Sequence, residues 1–269
     1  MNKQSPLIAI RGAGDLATGI AMRLYRAGLK RIVMLETGHP LAVRRTVAFS
    51  EAVYHGEVQV EGVSAIFAED MEEAAAVWEK QGIAIMCDPC LLRIGEINPE
   101  VLIDAIIAKK NLGTEKHMAP LVIGLGPGFT AGEDVHKVIE TKRGHHMSRV
   151  IHEGAAEPNT GIPGSVKGFT VERVYWAEHG GVFSTTFDIG DEISGGDRLG
   201  DVDGTPVIAK ISGVLRGILR NGTPVRRRTK LGDIDPRASK SYCGEVSDKA
   251  LSIGGGILEA VCAHIFSKD

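Results

Sequence analysis

Residues 7–17, LIAIRGAGDLA, decide the fold of this chain. The apolar first part of this stretch predicts a buried strand. The strand leads directly into a glycine-rich turn that fits the pattern G-x-G-x-x-A. A helical pattern follows and stops at Gly28, and a second apolar run then ends in Glu36. Strand, turn, helix, strand and acid follow one another as in a dinucleotide-binding unit, so the stretch predicts a Rossmann-like α/β domain.

Residues of this unit have definite roles if a nucleotide binds. Gly12 permits the tight turn, Gly14 lets the backbone approach a pyrophosphate, and the first helical N–H groups face the phosphates. Glu36 is placed to accept hydrogen bonds from ribose hydroxyls and favours NAD over NADP. Asp15 lies where its charge would repel a diphosphate. The alternative is a fold that keeps the turn for packing alone.

The alternation of strands and helices continues after this unit. Apolar strands are predicted at residues 83–86 and 121–125, helices over residues 72–81 and 99–110, and a further helix before Glu140. The strand at residues 121–125 runs into a second glycine-rich loop, which contains Gly124, Gly126 and Gly128. Because ligands of open parallel sheets lie beyond the carboxyl ends of the strands, we expect both loops at the functional edge.

Polar residues near that edge are the candidates for catalysis: Asp88, Lys109, Arg143 and His145. A lysine is suited to bind a phosphate as a point charge, an arginine to clamp it, and an imidazole to act as acid or base. For Lys109 the simpler alternative is a solvated pair with Asp104 on one helix face. The sequence alone assigns no Ser-His-Asp or Cys-His arrangement.

Cys87 and Cys90 have the C-x-x-C spacing of redox and zinc sites. The other two cysteines, Cys243 and Cys262, are isolated and do not complete a zinc site. His145 and His146 are adjacent, so their rings diverge, and no metal site is predicted. We interpret the cysteine pair as small residues at a strand end, with chalcogen transfer as the alternative.

Near residue 166 the pattern changes to short β-branched runs with frequent glycine. Here the chain repeats itself at an offset of 32 residues: Gly181-Val182-Phe183 corresponds to Gly213-Val214-Leu215, and Leu199-Gly200-Asp201 to Leu231-Gly232-Asp233. Neither β unit is large enough to bury an apolar face alone. We therefore expect the two units to clasp each other around a pseudo-dyad.

The repeated module resembles the biotinyl and lipoyl barrel-sandwich domains, which carry a prosthetic group on a lysine at a hairpin tip. The corresponding tip here is Asp203-Gly204-Thr205, and Lys210 lies on the following strand. No biotin or lipoate is expected, and the module is interpreted as a rigid scaffold or contact surface. Residues 252–266, beside a Gly254-Gly255-Gly256 hinge, predict a final helix that packs on the first domain.

The composition adds three expectations. The formal net charge of −3 gives no indication of nucleic-acid binding. No apolar run approaches the roughly 20 residues of a membrane helix. The first residues lack a secretory pattern, so we expect a cytoplasmic protein without membrane association.

Together the patterns predict an α/β protein in three parts. A Rossmann-like nucleotide-binding domain with a parallel sheet covers residues 1–165. A small β module of the barrel-sandwich-hybrid type covers residues 166–240, and residues 241–269 contain the helix that packs back on the first domain.

Several strings together resemble one protein family. They are RGAGDLATG at residues 11–19, DAIIAKKN at 104–111, GLGPGF at 124–129, ETKRGH at 140–145, GDIDPR at 232–237 and SDKA at 247–250. These strings resemble the YqeB-type accessory proteins of the selenium-dependent molybdenum hydroxylase system. The resemblance implies a role beside hydroxylases of the xanthine dehydrogenase type and a distant likeness to factors that handle their molybdenum cofactor. It implies no catalytic residue.

Three functions are compatible with these observations. The first, which we favour, is an accessory or maturation protein that binds a nucleotide, either NAD-like or a molybdopterin dinucleotide. Its partner would be the hydroxylase or its maturation machinery. The second is an NAD-dependent oxidoreductase, and the third is a non-catalytic docking scaffold. The ligand, the handling of selenium or sulfur and the oligomeric state, including a homo-oligomer, stay open.

Overall fold

A computed structural model describes residues 5–267 and divides the chain into two compact units. The first unit contains the chain up to Pro40, Ala48–Asn159 and the chain from Val246 onwards. The second unit contains Leu41–Val47 and Thr160–Glu245. Each unit has a hydrophobic core of its own. Residues 41–47, which the sequence analysis placed in the first domain, thus group with the β module.

The first unit consists of short strands and helices. In chain order they are β1 (Ile8–Arg11), α1 (Asp15–Arg26), β2 (Ile32–Glu36), α2 (Ala52–His55), β3 (Glu57–Val60), β4 (Val63–Phe67), α3 (Met71–Glu79), β5 (Ile83–Cys87), α4 (Ile94–Ile97), β6 (Val101–Asp104), β7 (Leu121–Leu125), β8 (Thr130–Ala131), β9 (Lys137–Ile139), β10 (Val150–Ile151) and β11 (Gly154–Ala155).

The second unit and the end of the chain contain the remaining elements. They are β12 (Val174–Trp176), β13 (Gly181–Ser184), β14 (Glu192–Ile193), β15 (Arg198–Val202), β16 (Thr205–Ile208), β17 (Gly213–Ile218), β18 (Thr223–Val225), β19 (Lys230–Asp235) and, in the first unit, α5 (Asp248–Phe266).

A nine-stranded sheet forms the centre of the first unit, in the order β10-β9-β7-β6-β1-β2-β5-β4-β3. Its seven inner strands are parallel, and only the edge strands β3 and β10 run antiparallel to their neighbours. All residues of β1, β6 and β7 are buried. Continuous apolar runs are typical of parallel strands that are covered on both faces. The protein is thus of the mixed α/β class.

Two predicted helices are wrong. The segment 99–110 contains the strand β6, whose residues Val101–Asp104 are buried on both sides, and continues as loop. The chain before Glu140 forms β9, which pairs in parallel with β7. A short apolar run satisfies the periodicity of a buried helix and of a buried strand equally well. Pairing with both β1 and β7 decides in favour of the strand at β6.

The C-terminal helix α5 begins at Asp248, four residues before the predicted start, and the three glycines lie inside it instead of forming a hinge. A Cβ on Gly19 of α1 would lie 2.5 Å from the Cβ of Ala250, and one on Gly254 would lie 2.9 Å from the Cβ of Arg23. Small residues therefore allow the two helices to approach closely. Since the contact positions advance together along both helices, α1 and α5 run parallel.

The helix α5 is apolar in composition and partly buried. It is the one helix in residues 5–267 that is long and apolar enough to cross a bilayer. However, Ile253, Ile257, Ala260 and Val261 are buried within the protein, so one face of α5 packs against the rest of the first unit.

Substitution of Gly254 tests this packing. Gly254→Val should reduce the free energy of unfolding by about 1–3 kcal/mol, because the added carbons separate α1 from α5. The matched control is Gly255→Val on the same helix, where a Cβ meets nothing within 4 Å. That change should leave stability equal or a few tenths of a kcal/mol higher, because valine is the better helix former. Urea denaturation of both variants measures the difference, and equal losses would contradict the proposed packing.

The second unit contains two four-stranded sheets, β12-β19-β17-β14 and β16-β15-β13-β18. The 32-residue repeat relates β13 to β17, β14 to β18 and β15 to β19. Each repeat donates one strand to the sheet of the other, since β14 pairs with β17 and β18 pairs with β13. The structure thus confirms that the two repeats clasp each other.

The two repeats differ in buried charge, most clearly at Asp233. Asp233 is fully buried and lies within 4.0 Å of the side chains of Arg173, Arg216 and Lys230. Burial alone would raise the pKa of Asp233, but these cations hold it well below its usual range. The counterpart Asp201 is partly exposed and pairs with Arg198. The hairpin β15–β16 turns at Asp203-Gly204.

Candidate functional site

The carboxyl ends of the parallel strands place most of the predicted site residues along one edge of the first unit. Beyond β1 lies the first glycine-rich loop, and Glu36 ends β2. Asp88 follows β5, Asp104 ends β6, Gly126 follows β7, and Glu140 follows β9. We call this set of strand ends and loops the carboxyl edge.

A buried ion pair holds the centre of the carboxyl edge. Nη1 of Arg11 lies 3.1 Å from Oδ2 of Asp104, and both side chains are almost completely buried. Asp104 also accepts a 2.6 Å hydrogen bond from the hydroxyl of Thr114, to which Arg11 donates at 3.0 Å. The predicted solvated pair between Asp104 and Lys109 on a helix is therefore wrong. That prediction assumed a helix over residues 99–110.

The remaining guanidinium protons of Arg11 fix two loops. Nε and Nη2 donate to the carbonyl oxygen of Pro89 at 3.0 and 2.8 Å, and Nη2 also donates to that of Leu112 at 3.0 Å. One side chain thus joins the end of β1 to β6, to the loop after β5 and to the loop before β7. Arg11 is not among the site residues predicted from the sequence, although a charge at the end of an apolar strand was a usable signal.

The first glycine-rich loop has two glycines with different requirements. Gly12 has a φ of +96°, and a Cβ there would lie 3.0 Å from a methyl group of Ile106. Gly14 is the N-cap of α1, with an ordinary φ of −66°, and a Cβ there meets no protein atom within 4 Å. Backbone conformation and packing therefore account for Gly12 but not for Gly14.

Glu36 closes one side of this loop. Its Oε2 accepts a 2.8 Å hydrogen bond from the amide of Ala13, and its Oε1 accepts one from the amide of Thr37. The carboxylate therefore lies directly against the glycine-rich turn, and each oxygen keeps a further lone pair.

The second glycine-rich loop is explained by packing. A Cβ on Gly124 would overlap the ring of Phe129, and one on Gly126 would overlap the Thr141 side chain. A Cβ on Gly128 would overlap the backbone of Lys109 and Lys110. All three glycines are therefore needed for close contacts within the protein.

Lys249, which sequence analysis did not select, contributes a half-buried amine to the carboxyl edge. It lies in the first turn of α5. Burial lowers the pKa of Lys249, repulsion from Arg143 and Lys109 lowers it further, and Asp15 and Glu140 oppose the shift. Within residues 5–267, the Lys249 amine has no hydrogen bond and no carboxylate within 4.0 Å. Since α5 lies parallel to α1, the first turns of both helices point toward the same edge.

The catalytic candidates have more ordinary surroundings. Asp88 is buried, and its two oxygens accept 2.8 Å hydrogen bonds from the amides of Leu92 and Arg93. Arg143 forms a two-pronged pair with Asp248 at 2.7 and 2.8 Å.

His145 and Lys109 are both exposed. The ring of His145 packs edge-on against that of His146. Lys109 has a left-handed backbone with a φ of +61°. Of the four catalytic candidates, only Lys109 and Arg143 are among the charges that influence the pKa of Lys249.

Cys87 and Cys90 are exposed, reduced thiols. Burial and the nearby Glu36 raise the pKa of Cys87. A raised pKa lowers the fraction of reactive thiolate, which weakens the chalcogen-transfer alternative. In the described part of the chain, no group of three or more His, Cys, Asp or Glu residues could hold a metal ion.

No protein-family model matches the sequence. The chain is 47% identical over 255 residues to the uncharacterized protein YqeB of Escherichia coli (strain K12), covering 95% of this chain and 47% of that protein. The chain is similar to about half of YqeB. This likeness supports the resemblance to YqeB-type proteins.

Solved structures give only remote likenesses. An aspartoacylase family protein of Mesorhizobium loti is 13% identical, with coverage of 86% of this chain and 85% of that chain and a TM-score of 0.28. The ectoine utilization protein EutE of Ruegeria pomeroyi is 11% identical, with the same coverage values and a TM-score of 0.26. With scores this low, function has to be argued from the geometry of the chain itself.

Removal of Arg11 tests the importance of the buried pair. Arg11→Met should reduce the free energy of unfolding by about 3–5 kcal/mol, because Asp104 then stays buried without its cation. The double variant Arg11→Met/Asp104→Leu should recover a large part of this loss, since no unpaired charge remains. Urea denaturation measures both. A single variant as stable as the parent protein would show that the pair does not hold the edge together.

Proposed function

We propose that the carboxyl edge of the first unit binds the diphosphate of a nucleotide. We further propose that the chain acts as an accessory protein for molybdenum hydroxylases and holds the dinucleotide form of their cofactor. The ligand proposal is argued from the residues of the edge. The accessory role is what the resemblance to YqeB-type proteins implies, and the 47% identity supports the resemblance alone.

The strand order supports a Rossmann-type binding edge. Six strands of the sheet lie in the order β5-β2-β1-β6-β7-β9. Numbered by their own sequence in the chain, they have the order 3-2-1-4-5-6, which is that of dinucleotide-binding sheets. In such sheets the pyrophosphate binds where the order reverses, at the turn after the first strand. Here that turn is the loop with Gly12 and Gly14.

Gly14 is the single observation that carries the proposal. A glycine without a conformational or packing requirement leaves open space at the start of α1. The first amide N–H groups of a helix have no partner within the helix and carry partial positive charge. A phosphate that approaches the bare backbone at Gly14 would accept hydrogen bonds from them.

The charges at the edge support an anionic ligand. Lys249 is a half-buried amine without a hydrogen-bonding partner in residues 5–267, and burial of such a group costs free energy unless a partner is bound. A phosphate would supply that partner. Lys109 adds a second positive charge. Asp15 and Glu140 are negative, so they limit the region in which an anion is favoured.

An NAD-dependent oxidoreductase is the second candidate, favoured by the position of Glu36. Its carboxylate lies against the glycine-rich turn, where it would accept hydrogen bonds from a ribose and repel a 2′-phosphate. This candidate predicts binding of NAD in preference to NADP. The accessory role predicts a preference for molybdopterin cytosine dinucleotide.

A thermal-shift panel with a glycine variant tests the ligand proposal. The panel consists of NAD, NADP, ATP, CTP, CMP and molybdopterin cytosine dinucleotide. A ligand at a hundredfold its Kd should stabilise the protein by about 2.7 kcal/mol. Gly14→Asp should abolish this shift, because a carboxylate would occupy the phosphate position.

The control for this experiment is Gly95→Asp in α4, where a Cβ also meets open space. It adds the same charge outside the loop and should keep the full ligand response. If no nucleotide shifts the unfolding temperature, the proposal fails and a docking scaffold is the better account.

Replacement of Lys249 separates binding from stability. Lys249→Met should unfold at the same or a higher temperature, because a half-buried amine without a partner is removed. It should lose at least tenfold in nucleotide affinity, measured by calorimetry. Lys80→Met, at the exposed end of α3, is the control and should change neither property.

The pH dependence of Lys249→Met follows from the lowered pKa. The unfolded chain binds the lysine proton more tightly than the folded chain, so folding becomes more favourable as the pH rises toward the ordinary value of 10.5. The stability of the parent protein relative to the variant should therefore increase between neutral pH and that value. A large loss of stability in the variant at neutral pH would indicate a structural role instead.

A further inference from the structure

The second unit contains a groove of about 550 Å³ that no part of the proposed nucleotide site uses. All residues that line it belong to the second unit. Two exposed apolar side chains, Trp176 on β12 and Ile208 on β16, line it and are 46% and 44% exposed. Exposed large apolar side chains that face one groove are typical of a binding surface.

Two sheet edges form the walls of the groove. The strands β12 and β16 line it, and each is the last strand of its own four-stranded sheet. In residues 5–267, each of these strands pairs with a neighbouring strand on one side only. The N–H and C=O groups on the other side can pair with a further strand where they are not already bonded.

The two edges are not equivalent. Pro206 in the middle of β16 has no N–H group, and a proline is a common means of blocking an edge strand. In β12 (Val174, Tyr175 and Trp176), the amide of Val174 already donates to the carbonyl oxygen of Val171. Both backbone groups of the next residue, Ala177, bond to residues 228–229 on the paired side. Because backbone groups alternate in direction along a strand, the amide of Trp176 faces the open side. β12 is thus the edge that can accept an added strand.

Two hydrogen bonds connect residues that line the groove. The buried Tyr175 accepts a 3.0 Å hydrogen bond from the amide of Lys210 through its hydroxyl. His179 contacts the hydroxyl of Thr205 at 3.0 Å and so links the chain after β12 to the start of β16. A groove with this geometry needs little rearrangement to bind an extended chain, which lowers the entropic cost of binding.

The charge of the groove is positive. Lys210, Arg227 and Arg228 are exposed in its lining, in which Glu178 supplies the carboxylate. Glu172, outside the lining, interacts electrostatically with Lys210. In the described part of the chain, none of these three cations has a carboxylate within 4.0 Å. Cations that have no carboxylate within ion-pair distance attract a binding partner with negative charge.

We propose that this groove binds an extended acidic peptide segment of a partner protein, which pairs with β12. Main-chain hydrogen bonds to β12 supply affinity that does not depend on sequence. Trp176 and Ile208 contact the apolar side chains that alternate along the peptide, and Lys210, Arg227 and Arg228 attract its carboxylates. An acidic peptide fits better than a nucleic acid, because a sheet edge offers main-chain pairing that only a polypeptide can use.

Selection from a phage-displayed library of random dodecapeptides tests the proposal with the full chain as bait. The expected result is enrichment of sequences that contain excess Asp and Glu and alternate them with apolar residues. The best peptide, synthesised with a fluorescent label, should then bind in an anisotropy titration and weaken as salt is added. Failure to enrich any sequence, or enrichment of basic sequences, would overturn the proposal.

Three variants assign the peptide to the groove. Arg227→Glu/Arg228→Glu and Trp176→Ser should each weaken the labelled peptide at least tenfold. Lys167→Glu reverses an exposed charge of the same unit outside the groove lining and should change affinity less than twofold. Circular dichroism confirms that each variant is folded. Equal affinities for the parent protein and the groove variants would overturn the proposed location.

Two further measurements test the mode and class of ligand. Hydrogen exchange of the Trp176 amide should slow when the peptide binds, because the added strand accepts its hydrogen bond. Unchanged exchange in β12 would overturn the strand-pairing geometry. A labelled dT20 oligonucleotide should bind more weakly than the peptide at the same salt concentration, and tighter binding of dT20 would overturn the choice of a peptide partner.

Discussion

The buried pair of Arg11 and Asp104 is the constraint on which the carboxyl edge depends. A guanidinium in this position is taken out of water, which is tolerable only if its protons find acceptors and its charge finds a partner. Arg11 meets both conditions by reaching β6, the loop after β5 and the loop before β7. The geometry of the glycine-rich turn, which begins at the next residue, is thus coupled to three other segments.

The two glycine-rich loops contain glycine for different physical reasons. In the second loop each glycine is required by a contact inside the protein, with Phe129, Thr141 or the backbone of Lys109 and Lys110. In the first loop Gly14 has open space around it. The likelihood that a glycine serves a ligand therefore depends on whether packing already explains it. By that criterion only the first loop is a ligand-binding candidate.

The parallel contact of α1 with α5 brings distant parts of the chain to one edge. Gly19 and Gly254 allow the helices to approach until a Cβ at either position would collide with the neighbouring helix. This approach places the first turn of α5, with Lys249, beside the glycine-rich loop at the other end of the sequence. A half-buried amine without a hydrogen-bonding partner lowers the stability of the protein when no ligand is bound. Functional sites often contain such destabilising groups.

The sequence by itself determined the local elements and the repeat. The turn after β1, the strands β2, β5 and β7, the helices α1 and α3, and the reciprocal clasp of the second unit all follow from patterns of a few residues or from self-similarity. Local periodicity failed at residues 101–104, where a run of four buried residues suits helix and strand equally and only pairing with β1 and β7 decides. Candidate side chains at the strand ends could be named, but their partners could not.

Tertiary structure alone decided which of those side chains are available to a ligand. Asp88 and Arg143 were reasonable candidates by residue type, yet Asp88 is occupied by two backbone amides and Arg143 by Asp248. Lys249 was not selected, because nothing within its own helix indicates that a glycine-lined contact places it at the carboxyl edge. The groove between β12 and β16 likewise arises from two sheets whose edges come together only in the folded unit. The physical reason is the same in each case: burial, charge and unpaired backbone groups depend on neighbours in space, which the order of residues along the chain does not specify.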